Sequence, residues 1–344
     1  MNKKLNIGFI DNFYYSPKGH SYVIRDMLEA LNGEKHNTHM FRIGDNPVNN
    51  TYEHPTTCKN FKGYEVPEKE FREWIKEKKL DFCIFMEYGQ WFEMKYDKLD
   101  VCNELNVKPV GFLVYEKLDW NKTEHYKKYY KTINPTGFQT KLLRKHGIFN
   151  AVHTPWGTNI EEIDKVKCSK NRNKKTTFYH CAGSGGVGDR KNTDAIIKAY
   201  KQIKDGTTDL IITHLNVKVF SRNEILSFMK YADVIVNTSK WDTLGLNTLE
   251  GNACGKPVIV ANTNPMTELV KPNVNGFTVE GKKTTCEYVT CPSFEVNVDN
   301  LANKMRICKS KIILDVMKSN ARKFAEVNFD WKKNKKHFLQ VFEV

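Results

Sequence analysis

Two carboxylates at a fixed spacing are the first residues in this sequence that could do chemistry. Asp242 and Glu250 are separated by seven residues in the stretch Ser239-Lys240-Trp241-Asp242-Thr243-Leu244-Gly245-Leu246-Asn247-Thr248-Leu249-Glu250. If residues 246–254 are helical, Asp242 lies just before the helix and Glu250 one turn inside it. A carboxylate at that point can accept two vicinal hydroxyls, as on a ribose, and the exposed helix start can meet a phosphate. On composition alone the two acids fit a solvated helix face equally well. A second group precedes them. Gly183-Ser184-Gly185-Gly186-Val187-Gly188 is a literal GxGxxG, and Asp189-Arg190-Lys191 follows it. Glycines let a backbone approach a phosphate closely. A dinucleotide site also expects an acidic residue at the end of the second strand. Asp209 instead precedes the apolar run Leu210-Ile211-Ile212. Two cations where a helix opens suit a diphosphate. The competing reading is a glycine-rich surface loop with solvated charges.

The elements that must position these residues are legible as alternating apolar runs and amphipathic stretches. Leu5-to-Ile10 reads as a strand ending at Asp11, and Val23, Met27, Leu28 and Leu31 share one helical face before the stop Asn32-Gly33. Asp81-to-Met86 and Pro109-to-Tyr115 read as buried strands, with a helix near 96–106 between them. A second series follows the basic stretch Lys165-to-Lys175, which reads as an exposed connection. Strands are expected at Thr176-to-Ala182, Leu210-to-Thr213, Val234-to-Asn237 and Pro257-to-Ala261, and helices at Asn192-to-Ile203, 223–231 and 246–254. Gly255 is placed to cap the last of these, and Pro257 to open the next strand. Residues 312–341 read as two helices broken near Asn328-Phe329-Asp330. Such alternation argues for α/β architecture with parallel sheets.

Composition narrows the class. The chain has 344 residues, enough for two domains. Its 40% hydrophobic and 27% charged content argues against disorder and coiled coil. The apolar runs are far shorter than the ~20 residues that span a bilayer, and no secretory leader is read, so the expected location is cytoplasmic. Nine cysteines are scattered without a CxxC pair. Cys286 and Cys291 lack a second pair nearby to complete a zinc site, so reduced thiols and no metal are expected. The net charge of +14 favours an anionic partner, and the excess is greater after residue 150.

Asp242-x7-Glu250 followed by Ala253-Cys254-Gly255-Lys256-Pro257 resembles the E-x7-E signature of retaining glycosyltransferases of the GT-B fold, the family 4 type. The resemblance extends to Asn264-to-Val270, Asn275-Gly276-Phe277, the loop Ser16-Pro17-Lys18-Gly19, the stretch Val152-to-Asn159, Tyr179-to-Ala195, and Trp331. It implies two Rossmann-like domains facing each other across a cleft: residues 1–158 on the acceptor side, 159–325 on the donor side, and a C-terminal helix, 326–344, returning to the first. It implies a nucleotide-diphosphate sugar, UDP- or GDP-linked, as co-substrate, a saccharide or glycoconjugate acceptor, retention at the anomeric carbon, and no cofactor or metal. By analogy Glu250 binds the ribose hydroxyls and Asp242 sits near the transferred sugar. The backbone at Gly245 and Leu246 meets the phosphates, Arg190 and Lys191 neutralise the leaving diphosphate, and Ser239 and Gly19 complete the donor site. The chain departs from the pattern in three places. Asp242 is one methylene shorter than the usual Glu. The family's Gly-Arg pair reads Gly183-Ser184, with Arg190 the replacement cation. Where many members carry a His, Pro109-to-Asp119 offers Tyr115, Glu116 and Asp119. Glu116 is thus the candidate acceptor-side catalytic residue, against a structural carboxylate at a strand end.

One further segment could redirect the reading. Lys117-to-Lys131 interleaves bases with Trp120, Tyr126, Tyr129 and Tyr130. Such a mixture can hold nucleic acid or an anionic membrane surface, or it is an amphipathic helix with a solvated Lys face. It motivates one alternative, a DNA-modifying glucosyltransferase of the same fold. The departures at Asp242 and Ser184 motivate another, a non-catalytic nucleotide- or polyanion-binding protein.

Overall fold

The computed structural model describes residues 3–11, 19–43, 56–61, 66–88, 90, 96–168, 175–183, 187–214 and 218–343. Ser16, Pro17 and Lys18 of the first loop, Ser184, Gly185 and Gly186 of the glycine run, residues 169–174 of the basic connection, and Trp91 and Phe92 lie outside the described residues. The chain divides into two compact units, Met1–Thr154 with Lys335–Val344, and Pro155–Asn334.

The first unit is built on a seven-stranded sheet: β1 (Asn6–Asp11), β2 (Asn37–Ile43), β3 (Thr56–Phe61), β4 (Phe82–Met86), β5 (Lys108–Phe112), β6 (Lys131–Asn134) and β7 (Ala151–His153). The order is β3-β2-β1-β4-β5-β6-β7 and every pairing is parallel. Parallel neighbours need crossovers, and helices accompany them: α1 (Gly19–Gly33), α2 (Glu68–Lys78), α3 (Lys98–Glu104), α4 (Thr123–Lys127) and α5 (Gly137–Lys145). A sheet covered on both faces demands continuous apolar strands, and β4, Phe-Cys-Ile-Phe-Met, is buried throughout. On α1 the expected face, Val23, Met27, Leu28 and Leu31, is buried. The strand order reverses between β1 and β4, the place where open α/β sheets leave a crevice at their carboxyl ends.

The second unit holds a five-stranded parallel sheet: β8 (Thr176–Gly183), β9 (Thr208–His214), β10 (Val234–Asn237), β11 (Val258–Ala261) and β12 (Gly276–Val279), in the order β12-β11-β10-β8-β9. An antiparallel hairpin, β13 (Gly281–Thr284) and β14 (Ser293–Val296), follows it. The helices are α6 (Ile160–Lys165), α7 (Thr193–Lys201), α8 (Arg222–Tyr231), α9 (Leu246–Ala253), α10 (Val298–Ile307) and α11 (Lys311–Asn328). The core gathers Phe178, Ile196, Val236, Ile259, Phe277, Leu301 and Met305. Order reversal here lies between β8 and β10. A last helix, α12 (Trp331–Leu339), leads to Lys335–Val344 of the first unit. The two parallel α/β sheets are as the sequence suggests.

Two local expectations need correction. The strand expected at Pro109-to-Tyr115 stops at Phe112, and Tyr115–Lys117 forms a single 3-10 turn. The segment 117–131 is not one amphipathic helix. It holds a 3-10 turn at Trp120–Lys122 and then the five residues of α4. Its aromatic residues explain why. Tyr126 and Tyr129 are core residues, and Trp120 stacks on His146 with ring centroids 3.7 Å apart. Rings already packed are not free to stack on bases. No described helix is long and apolar enough to cross a membrane.

Candidate functional site

The cluster with the most chemistry in the second unit forms where β8 and β10 part. β10 ends at Asn237, and the chain continues through a loop into α9. Gly245 takes the N-cap position with φ of 61°. A Cβ there would stand 2.6 Å from Leu269 Cδ1, so both the dihedral and the packing select glycine. The Gly245 amide donates to Asp242 Oδ1 at 3.1 Å, tying the carboxylate to the helix start. Lys191 Nζ donates to Asp242 Oδ2 at 2.9 Å and to Ser239 Oγ at 3.3 Å. Ser239 Oγ in turn donates to Asn237 Oδ1 at 3.1 Å, and Asn237 Nδ2 donates to Thr248 Oγ1 at 3.0 Å. Arg190 approaches the same carboxylate, with Nη1 3.9 Å from Asp242 Oδ2. Thus Arg190, Lys191, Ser239, Asp242 and Gly245 are brought together, with Leu246 the first residue of α9.

Charge is concentrated here out of water. Burial alone would raise the Asp242 pKa, but the cations of Lys191 and Arg190 and the Gly245 amide outweigh it and hold the carboxyl well below the usual range. Lys191 is buried. Burial first, then the neighbouring Arg190, pulls its pKa down, and Asp242 opposes both. The cations reach this point because Asp189 caps α7: its carboxylate accepts from the Thr193 and Asp194 amides. Asn192, with φ of 57°, turns the chain, and its side-chain amide donates to the carbonyls of Thr238 and Phe294. Lys240 Nζ donates to Gly188 O and pairs with Glu295 on β14. The hairpin therefore clamps the loop that carries Ser239 and Asp242. Behind the cluster, His180 is buried, with ring nitrogens against Val236 O at 2.9 Å and Thr193 Oγ1 at 3.0 Å. Burial, with Lys191 adding, pushes its pKa down to about 4.

Glu250 sits in α9, 4% exposed, as the spacing requires. Its Oε1 accepts from Arg222 Nη1 at 2.5 Å, and Arg222 Nε donates to Glu162 Oε1 at 3.3 Å. Arg222 and Glu162 were not anticipated. The only sequence signal was Ser221-x-x-Glu224, a capping box that the structure forms. It announces a helix start at Arg222 but not the partner 28 residues away.

The remaining sequence candidates belong to the first unit. Gly19 opens α1, and Glu116 lies half-buried in the 3-10 turn after β5. A cluster not anticipated occupies the carboxyl ends of β1 and β4. His20, the second residue of α1, lies between Asp11 and Glu87, with Nε2 2.6 Å from Asp11 Oδ1 and Nδ1 3.1 Å from Glu87 Oε1. Burial lowers the imidazole pKa, but the Asp11 charge and hydrogen bond, with those of Glu87, override it and raise it to about 10. Glu87 has φ of 55°, a conformation that costs a non-glycine residue energy.

Residues 210–286 match the family described as glycosyl transferases group 1. That span contains Arg222, Ser239, Asp242, Gly245 and Glu250. A GDP-mannose-dependent alpha-(1-6)-phosphatidylinositol dimannoside mannosyltransferase of Mycobacterium tuberculosis is 26% identical over 161 residues, 39% of this chain and 42% of that protein. The aligned region thus spans under half the length of that relative. Two solved structures share the fold over the whole chain. A glycosyltransferase from Rickettsia africae is 15% identical, covers 99% of this chain and 100% of its own, and superposes with a TM-score of 0.75. An Anabaena protein, HepE, in complex with UDP and glucose is 15% identical over 98% of each chain, with a TM-score of 0.71. Residues 210–286 thus carry the signature of the glycosyl transferases group 1 family, on two parallel α/β sheets that share the fold of those solved structures.

Proposed function

We propose that the protein is a retaining glycosyltransferase that moves a sugar from a UDP- or GDP-linked donor to a saccharide or glycoconjugate. The observation that carries this reading is the pairing of buried Lys191 with half-buried Asp242, with Arg190 beside it, at the switch point of the second sheet and next to the first turn of α9. Cleaving a sugar from a nucleoside diphosphate leaves charge on the departing phosphate. Lys191 and Arg190 are fixed cations that meet that charge in a water-poor setting, where it counts most. The first amides of α9, at Leu246 and Asn247, belong to the set a helix leaves without internal acceptors, and the dipole end favours an anion. Asp242, kept ionised, holds Lys191 in place and offers oxygens to the hydroxyls of the donor sugar. Glu250 is placed to accept from the ribose.

The relatives support a nucleotide-sugar donor and differ on its base: GDP-mannose for the Mycobacterium enzyme, UDP for the Anabaena complex. On the acceptor side Glu116 remains the proposed residue, with Gly19 at the donor phosphates. The reading is tested by incubating the protein with UDP-glucose, UDP-galactose or GDP-mannose and a panel of sugar acceptors. Release of UDP or GDP that depends on an acceptor, with an α-linked product by NMR, is expected. Absence of release from every donor would favour the non-catalytic reading.

A further inference from the structure

We propose that Arg222 is the positioning residue that makes Glu250 a reader of ribose hydroxyls. The inference deepens the nucleotide-sugar reading and rests on it. Burying a carboxylate as deeply as Glu250 is costly unless a counter-charge and hydrogen bonds meet it. Its partner is Arg222, whose side chain is 13% exposed and whose guanidinium joins Glu250 at 2.5 Å to Glu162 at 3.3 Å. Arg222 is the first residue of α8, where a cation faces the positive end of the helix dipole and is disfavoured. The arrangement is retained against that preference because two carboxylates from α6 and α9 converge on the guanidinium. The guanidinium is planar and rigid. Its bond to Oε1 fixes the plane of the Glu250 carboxylate, and with it the direction in which its lone pairs face a ligand.

The consequence is selective. A hydrogen bond from a ligand hydroxyl to a charged, oriented acceptor is worth about tenfold to a hundredfold in affinity. Without Arg222 the carboxylate loses both its counter-charge and its orientation, so the hydroxyl contribution falls while phosphate and base contributions remain. Arg222 then acts on one group of the ligand, through Glu250, without touching it.

The test is calorimetric titration of UDP against dUDP, and GDP against dGDP, on the native chain, Arg222→Ala, Arg222→Lys and Glu250→Ala. The native chain should prefer the ribonucleotide about tenfold or more. Arg222→Ala should bind the deoxynucleotide within about twofold of native yet lose the preference, as Glu250→Ala should, and Arg222→Lys should keep part of it. Should Arg222→Ala prove unfolded by circular dichroism, the graded loss in Arg222→Lys carries the test. Equal loss of both nucleotides in Arg222→Lys or Arg222→Ala would overturn the inference, since Arg222 would then serve the phosphates or the fold. An unchanged preference would overturn it too. A preference that survives Glu250→Ala would instead overturn the ribose role of Glu250 on which the inference stands. Failure of all four nucleotides to bind the native chain would overturn both.

Discussion

Among single residues, Lys191 is the buried cation at the proposed diphosphate site. Replacing it by Met keeps the stem and removes the cation, which should lower kcat about a hundredfold or more with the fold retained, since Arg190 still faces Asp242. Steady-state rates with saturating donor check this. Two histidines make opposite demands on pH. The folded pKa of His20, about 10, lies above its ordinary 6.5, so its stabilisation is complete below pH 6.5 and is lost as pH rises toward 10. That of His180, about 4, lies below 6.5, so its stabilisation is complete above pH 6.5 and is lost as pH falls toward 4. Urea unfolding at pH 5, 6.5 and 9 should therefore show losses on both sides. His20→Gln should flatten the alkaline limb and His180→Gln the acid limb. The candidates legible at this scale were those whose spacing carries a motif: Asp242, Glu250 and the pair Arg190-Lys191. Arg222–Glu250 and Asp11–His20–Glu87 were not, because each is joined only where separate elements meet in three dimensions.

At the scale of elements, the loop from β10 into α9 depends on one backbone conformation. Gly245→Ala meets both a left-handed φ and a 2.6 Å approach to Leu269, and should cost about 2 kcal/mol. Gly206→Ala has a similar φ, 80°, but nothing within 4 Å of the added carbon. It should cost about 1 kcal/mol, the dihedral penalty alone. Denaturant midpoints of the two variants measure the difference. Elements with one strong pattern were legible. The face of α1, the run Val234-to-Asn237 and the break near 328–330 all fall where the sequence puts them. The β2 strand, Asn-Thr-His-Met-Phe-Arg-Ile, was not, because His39 and Arg42 interrupt the apolar run expected of a parallel strand. The β13–β14 hairpin escaped for a related reason. Gly-Lys-Lys-Thr on β13 is exposed and polar, while β14 sends Phe294 and Val296 into the core and sets Glu295 against Lys240.

At the scale of the whole molecule, the first unit is completed by residues far away in sequence. Phe338, Val341 and Phe342 are buried there, and the Phe342 ring lies edge-on to Phe82 with centroids 5.2 Å apart. Lys131 Nζ donates to the carbonyls of Gln340 and Val341. Phe342→Ala should destabilise the first unit by about 3–5 kcal/mol, read as an earlier unfolding transition by Trp fluorescence. The return of the C-terminal segment was foreseen through the family resemblance. The contact with Phe82 was not, since neither residue's local pattern names the other.

On the proposed function, the second unit binds a nucleotide-diphosphate sugar through a site that includes Glu250. A thermal-shift panel of UDP- and GDP-sugars on the native chain and on Glu250→Ala tests it most directly. A donor at ~100 times its dissociation constant stabilises a protein by about 2.7 kcal/mol, which is ample to see. At least one donor should raise the melting temperature of the native chain and raise that of the variant little or not at all. Equal shifts in both proteins, or none with any donor while duplex DNA stabilises the native chain, would contradict it.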